Sequence, residues 1–207
     1  MLRTAIASAL FVALSFLAAQ WLTHDYQVWT AEGARRLEAE LNPVAAPHLV
    51  MDGPGVSGQT LHGLLADGRS VTIVDFMYTR CVTVCAALGS AFQQMQSAIR
   101  ADAAPLRLLS ISFDAAHDDA ALLQRYAEGL RADPALWRFA RVANAAEAQA
   151  LLDRYLVTVI DDGLGGFEHN AALLVVDPAG RLLRIFDYTE LDTALAYARW
   201  VAGGPGS

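Results

Sequence analysis

The run Val71-Thr72-Ile73-Val74-Asp75-Phe76-Met77-Tyr78 constrains this chain more than any other feature, because it leads directly into a helical segment. An apolar, β-branched and aromatic run of this length reads as a buried strand, and residues 83–100 carry helical spacing directly after it. A strand feeding a helix within a few residues places the core in the α/β class. At the junction sit Cys81 and Cys85, the only two cysteines among 207 residues. Four residues is about one helical turn, so both sulfurs can project from one face near the helix start. There the pair can chelate one soft metal ion or close into a disulfide.

The pattern continues as an alternation. A second strand is expected at 106–113 and a helix at 118–130. Trp137–Val142 reads as a short edge strand, and Asn144 with Glu147 as a capping box for a helix at 145–155. A short strand at 156–160 and a glycine-containing loop at 161–166 come next. Strands at 171–176 and 182–186 flank Asp177-Pro178-Ala179-Gly180, a hairpin signal. A last helix is expected at 190–201. Residues 48–70 are rich in glycine and short polar residues and read as irregular structure or a small hairpin. Periodicity alone supports a three-layer α/β fold with a mixed sheet.

Ahead of this domain, residues 4–22 carry no charge. At about 1.5 Å per residue they would span about 27 Å, close to the hydrocarbon thickness of a bilayer. Arg3 precedes the stretch and Asp25 comes after it, which places the N-terminus in the cytoplasm and the domain outside. The length favours a retained anchor over a cleaved signal peptide. Thr30 can cap a short helix ending near Leu41, before Pro43 and Pro47 break it. The expected division is an anchor at 1–23, a juxtamembrane helical linker at 24–43 and the globular domain at 44–203. An exported domain meets a compartment where thiols can be oxidised.

Net charge is −7, and all fifteen basic residues are arginine. Without lysine there is no Schiff-base or P-loop chemistry, and without a basic run no nucleic-acid surface. That leaves the cysteines. A disulfide enclosing three residues would stabilise little, and its separation on a helix lies near the upper end of ordinary disulfide geometry. A helix start lowers thiol pKa, which serves metal ligation and disulfide exchange alike. Two thiolates with one imidazole suit copper and underfill a structural zinc site. Of the five histidines, His24 lies beside the anchor, His48 and His62 in the irregular stretch, and His117 at a strand-to-helix turn. His169 directly precedes a strand of the expected hairpin. From chemistry alone it is either a ligand or an ordinary loop histidine, and the residues leave this open.

Phe76-Met77-Tyr78-Thr79-Arg80-Cys81-Val82-Thr83-Val84-Cys85, Ile111-Ser112-Phe113-Asp114 with Asp118, and His169-Asn170-Ala171 leading into Asp177-Pro178-Ala179-Gly180 resemble the Sco (SenC/PrrC) family. The resemblance covers residues 44–203 and the N-terminal anchor. It implies a thioredoxin-like fold and one copper ion, Cu(I) or Cu(II), held by Cys81, Cys85 and His169. It further implies a globular domain in the bacterial periplasm, tethered to the inner membrane by a single pass. The implied partner is the cytochrome c oxidase subunit carrying the dinuclear copper centre, or another copper chaperone. Family members act as copper donor, thiol reductant, or both. Val82 and Ala86 stand where the family usually has proline, which relaxes the backbone there.

A thiol–disulfide oxidoreductase using Cys81 and Cys85 is the competing reading. The three-residue spacing and the absence of proline before the facing strand favour metal over general disulfide exchange. Met77, Trp137, Tyr155 and Trp200 are expected to pack in the core, Asp114, Asp118 and Asp119 to cap or be solvated, and Asp161-Asp162 to form a turn. Trp21 and Trp29 are expected at the membrane interface.

Overall fold

The computed structural model describes residues 2–23, 25, 26, 28–81, 84–102 and 104–204, and for residues 84–87 the backbone alone. His24, Val82 and Thr83 lie outside the described residues. The chain begins with α1 (Leu2–Leu22), an apolar helix with no residue buried against protein. Next comes α2 (Ala31–Leu41), capped by the Thr30 side chain accepting from the Gly33 amide as expected. Then come β1 (Val44–Ala45), β2 (Met51–Asp52), α3 (Leu61–Leu65), β3 (Val71–Met77), α4 (Val84–Asp102) and β4 (Leu106–Ser112). The remainder is α5 (Ala120–Gly129), β5 (Trp137–Val142), α6 (Ala145–Arg154), β6 (Val159–Asp161), β7 (Phe167–His169), β8 (Ala172–Val176), β9 (Arg181–Asp187) and α7 (Leu191–Gly203).

Seven strands form one sheet in the order β1-β9-β8-β3-β4-β5-β2. β3, β4 and β5 run parallel, joined by α4 and α5, while β8 pairs antiparallel with β3 and β9 with β8. Parallel neighbours need a crossover helix, and covering both sheet faces makes the central strands apolar throughout. β3 is accordingly buried at all seven positions. Phe92 of α4 and Tyr126 of α5 pack on Trp137 and Phe139, which share one face. On the other face Tyr155, at the end of α6, packs on Phe76. This is the expected thioredoxin-like three-layer arrangement with a mixed sheet.

Three expectations of the fold are overturned and a fourth is met in part. β5 is not the edge strand, because the short β2 pairs outside it, Met51 opposite Val142. There Gly53 runs so close that a Cβ would sit 2.5 Å from the Phe139 carbonyl oxygen. The stretch at 48–70 does form a small hairpin, Val50 bridging Thr60 antiparallel and the Met51 amide donating to the Gln59 carbonyl at 2.8 Å, but it also holds the unexpected helix α3, capped by Thr60. The strand expected at 156–160 is the three-residue β6, which pairs with an unforeseen β7. Trp200 is exposed, resting against Tyr197. Trp137, Tyr155 and Met77 are buried as expected.

Candidate metal centre

Loops at the carboxyl ends of parallel strands are where α/β folds build sites. Residues 78–81 leave β3 there. Two buried carboxylates hold this segment. Asp118 is fully buried and accepts from the Thr79 amide at 3.0 Å, the Thr79 hydroxyl at 2.5 Å and the Ser112 hydroxyl at 2.5 Å. Asp114 accepts from Arg80 Nη2 at 2.8 Å and lies 2.9 Å from His117 Nδ1. Burial works to raise the Asp114 carboxyl, and its hydrogen bonds with His117 and Arg80 outweigh that, leaving it below the ordinary aspartate value. Charge-assisted hydrogen bonds of this kind fix geometry as well as charge. The segment that presents Cys81 is therefore anchored at each of the two residues before it. Asp119, not Asp118, caps α5, accepting from the Leu122 amide.

Cys81 is half-buried and packed against the core, with its amide donating to the Tyr78 carbonyl at 3.3 Å. Cys85 is the second residue of α4, so the expected placement near a helix start holds for its backbone. Its side chain lies outside the described residues.

The β6–β7 hairpin brings in His169. Its fastening is Tyr78, whose hydroxyl donates to the Phe167 carbonyl at 3.2 Å and accepts from the Phe167 amide at 3.1 Å. The Tyr78, Phe113 and Phe167 rings contact one another at centroid separations of 5.2–5.6 Å. His169 sits edge-on to Phe113 at 5.3 Å. Tyr78 thus lies three residues before Cys81 and grips the strand that ends at His169. His169 is partly buried, with Nδ1 shielded from solvent. Desolvation lowers its pKa below the usual histidine value, so the imidazole is neutral at pH 7. A neutral imidazole keeps the nitrogen lone pair that a metal needs. The tip of the hairpin is the expected turn, where Asp162 Oδ1 accepts from the Leu164 and Gly166 amides.

Among the described side chains, no three His, Cys, Asp or Glu residues gather into a metal-holding group. The Cys81, Cys85 and His169 set includes one side chain outside them.

Sequence reasoning passed over Asp75. It is the one charged residue of β3, lies beside Ser110 in register, and is buried. Its Oδ1 has no hydrogen-bond partner among the described residues. The Ser110 hydroxyl, hydrogen-bonded to this carboxyl, also accepts from Trp137 Nε1 at 2.9 Å. Burial pushes the Asp75 carboxyl up to about 7. The signal was present as a lone acid within an apolar strand.

Comparison with known proteins fits this architecture. The family model SCO1/SenC matches residues 56–201. The chain belongs to the SCO1/SenC family. Among curated proteins, the SCO1 protein homolog of Bacillus subtilis (strain 168) is 22% identical over 162 residues, covering 76% of this chain and 81% of the relative. Among solved structures, BsSco, described as a member of the Sco family of cytochrome c oxidase assembly proteins, superposes with a TM-score of 0.68 at 18% identity. The superposition covers 79% of this chain and 96% of that one. Bradyrhizobium japonicum ScoI, solved with copper bound, gives a TM-score of 0.58 at 22% identity, over 76% of this chain and 96% of its own. At these identities the structural likeness concerns the fold.

Proposed function

We propose that this SCO1/SenC protein is a membrane-anchored copper metallochaperone whose cargo is one copper ion, held by Cys81, Cys85 and His169. The observation that carries the reading is the Tyr78–Phe167 clamp, which ties the strand ending in His169 to the segment ending in Cys81. Family membership and a copper-bound relative of the same fold support it.

The chemistry derives from the parts. The start of α4 favours thiolate over thiol at Cys85, and two soft thiolates select Cu(I). His169, neutral through burial, completes a three-donor set. Three donors hold copper yet leave room for an incoming ligand, so a partner's cysteines displace them one at a time. The recipient is the oxidase subunit bearing the dinuclear copper centre, or another copper chaperone. α1 tethers the domain as a single pass in the inner membrane, with residues 44–203 in the periplasm.

A second reading, a thiol–disulfide reductase using Cys81 and Cys85, is favoured by the disulfide switch described for BsSco. Copper titration of the detergent-solubilised full chain separates them. One Cu(I) per chain, with affinity reduced in His169→Ala, supports the chaperone. Unchanged copper affinity in His169→Ala, with thiol reduction of an oxidase peptide intact, supports the reductase.

A further inference from the structure

Away from the cysteines, two imidazoles meet that neither reading uses. The His48 and His62 rings lie with centroids 4.4 Å apart and planes inclined by 39°. Backbone hydrogen bonds bring them together, not chance surface contact. The Leu61 amide donates to the Leu49 carbonyl at 2.8 Å, and the His62 amide to the Pro47 carbonyl at 3.1 Å. Those two carbonyls bracket His48, so the first turn of α3 and the segment bearing His48 are locked in register. His48 is exposed, and His62 is half-buried. The Nδ1 atom of His62 is buried with no hydrogen-bond partner among the described residues. Leaving a buried imidazole nitrogen unpaired is costly, and a bound ion at that atom would offset the cost.

We propose that His48 and His62 form a second metal site, taking a borderline divalent cation, with Cu(II) preferred. Imidazole suits copper, zinc and nickel, and the Irving–Williams order puts Cu(II) first among them. The ring separation fits a two-imidazole chelate. A metal–nitrogen bond of about 2.0 Å, plus about 1.2 Å from nitrogen to ring centre, puts each centroid about 3.2 Å from the ion. Two such vectors at the right angle of a tetragonal site put the centroids about 4.5 Å apart. No carboxylate or thiolate joins the pair among the described residues. Water fills the remaining positions, which suits Cu(II) over Cu(I) and keeps the ion exchangeable.

The pair is separate from the Cys81 end of the sheet. β8 runs antiparallel to β3 with Val176 opposite Thr72, so the turn at 177–180 lies at the amino end of β3. Ala46, two residues before His48, donates its amide to the Gly180 carbonyl in that turn at 2.8 Å. Cys81 lies beyond the opposite end of β3.

The test uses the full chain in detergent carrying Cys81→Ser, Cys85→Ser and His169→Ala, which removes the proposed cargo site. Cu(II) is added and followed by electron paramagnetic resonance and calorimetry. The expected result is one Cu(II) per chain with a tetragonal spectrum split by two nitrogens. Adding His48→Ala should weaken binding by roughly tenfold or more, since one tethered donor is lost. His48 is exposed, so this variant keeps its fold; His62→Gln serves as the second. Absence of bound Cu(II) in the triple variant at millimolar metal, or binding unchanged by His48→Ala, overturns the proposal. The outcome does not depend on whether Cys81, Cys85 and His169 hold copper.

Discussion

Replacing Asp75 with asparagine should make the protein more stable at pH 8 and remove a component of its pH dependence. In the folded state burial holds this carboxyl at about 7, against an ordinary value of 3.8. The folded state therefore binds a proton that the unfolded state releases between these two values. Stability from this group is full below about pH 4 and is lost as pH rises through 7. The separation of about three pH units corresponds to about 4 kcal/mol, at 1.36 kcal/mol per unit. Asparagine carries no charge to desolvate but places an amide beside Ser110, at a cost of about 1–3 kcal/mol if it finds no partner. The net expectation at pH 8 is a gain of roughly 1–3 kcal/mol. Buried Trp137 reports unfolding by fluorescence, so urea titrations at pH 5, 6, 7 and 8 measure the effect. His169 has the opposite sign: its lowered pKa removes stability as pH falls through about 6.5. Subtracting the variant's profile from the wild type's isolates Asp75. Parallel profiles across this range would refute the reasoning, because they would mean the carboxyl is already ionised in the folded core.

Two further outcomes concern the clamps around the site. Tyr78→Phe keeps the ring contacts but deletes both hydrogen bonds to Phe167. It should cost about 1–2 kcal/mol in urea unfolding and weaken copper binding, since His169 loses its fastening; copper affinity equal to wild type would show that the hairpin places His169 without it. Asp118→Ala leaves the Thr79 and Ser112 donors without their buried acceptor. It should destabilise by about 3 kcal/mol or more, and a loss below about 1 kcal/mol would show that water replaces the carboxylate.

The long elements were legible because each carries its own period or cap. β3 announced itself as an uninterrupted apolar run, Asn144 caps α6, and Asp177 accepts from the Ala179 and Arg181 amides in the β8–β9 turn. The short elements were not. β2 has two residues and β7 three, and such pieces have no period of their own. They exist because β5 and β6 offer them backbone partners, which only tertiary structure supplies. The same limit governs the site. Cys81 and Cys85 were visible in one window of sequence, whereas the link to His169 runs through Tyr78 and Phe167, 89 residues apart. Asp118 sits beside the true cap Asp119, and nothing in the local sequence marks which acid turns inward. Trp200 was misplaced because helical periodicity places tryptophan on an apolar face without saying whether that face is covered.

The proposed copper site needs both sulfurs and the imidazole of residue 169 to reach one ion. X-ray absorption at the copper edge, on the Cu(I)-loaded full chain with His48→Ala and His62→Gln in place, tests it most directly. The expected shell is two sulfurs at about 2.2–2.3 Å with one nitrogen at about 2.0 Å, the nitrogen disappearing in His169→Ala. A sulfur-only shell that is identical with and without His169 would contradict it.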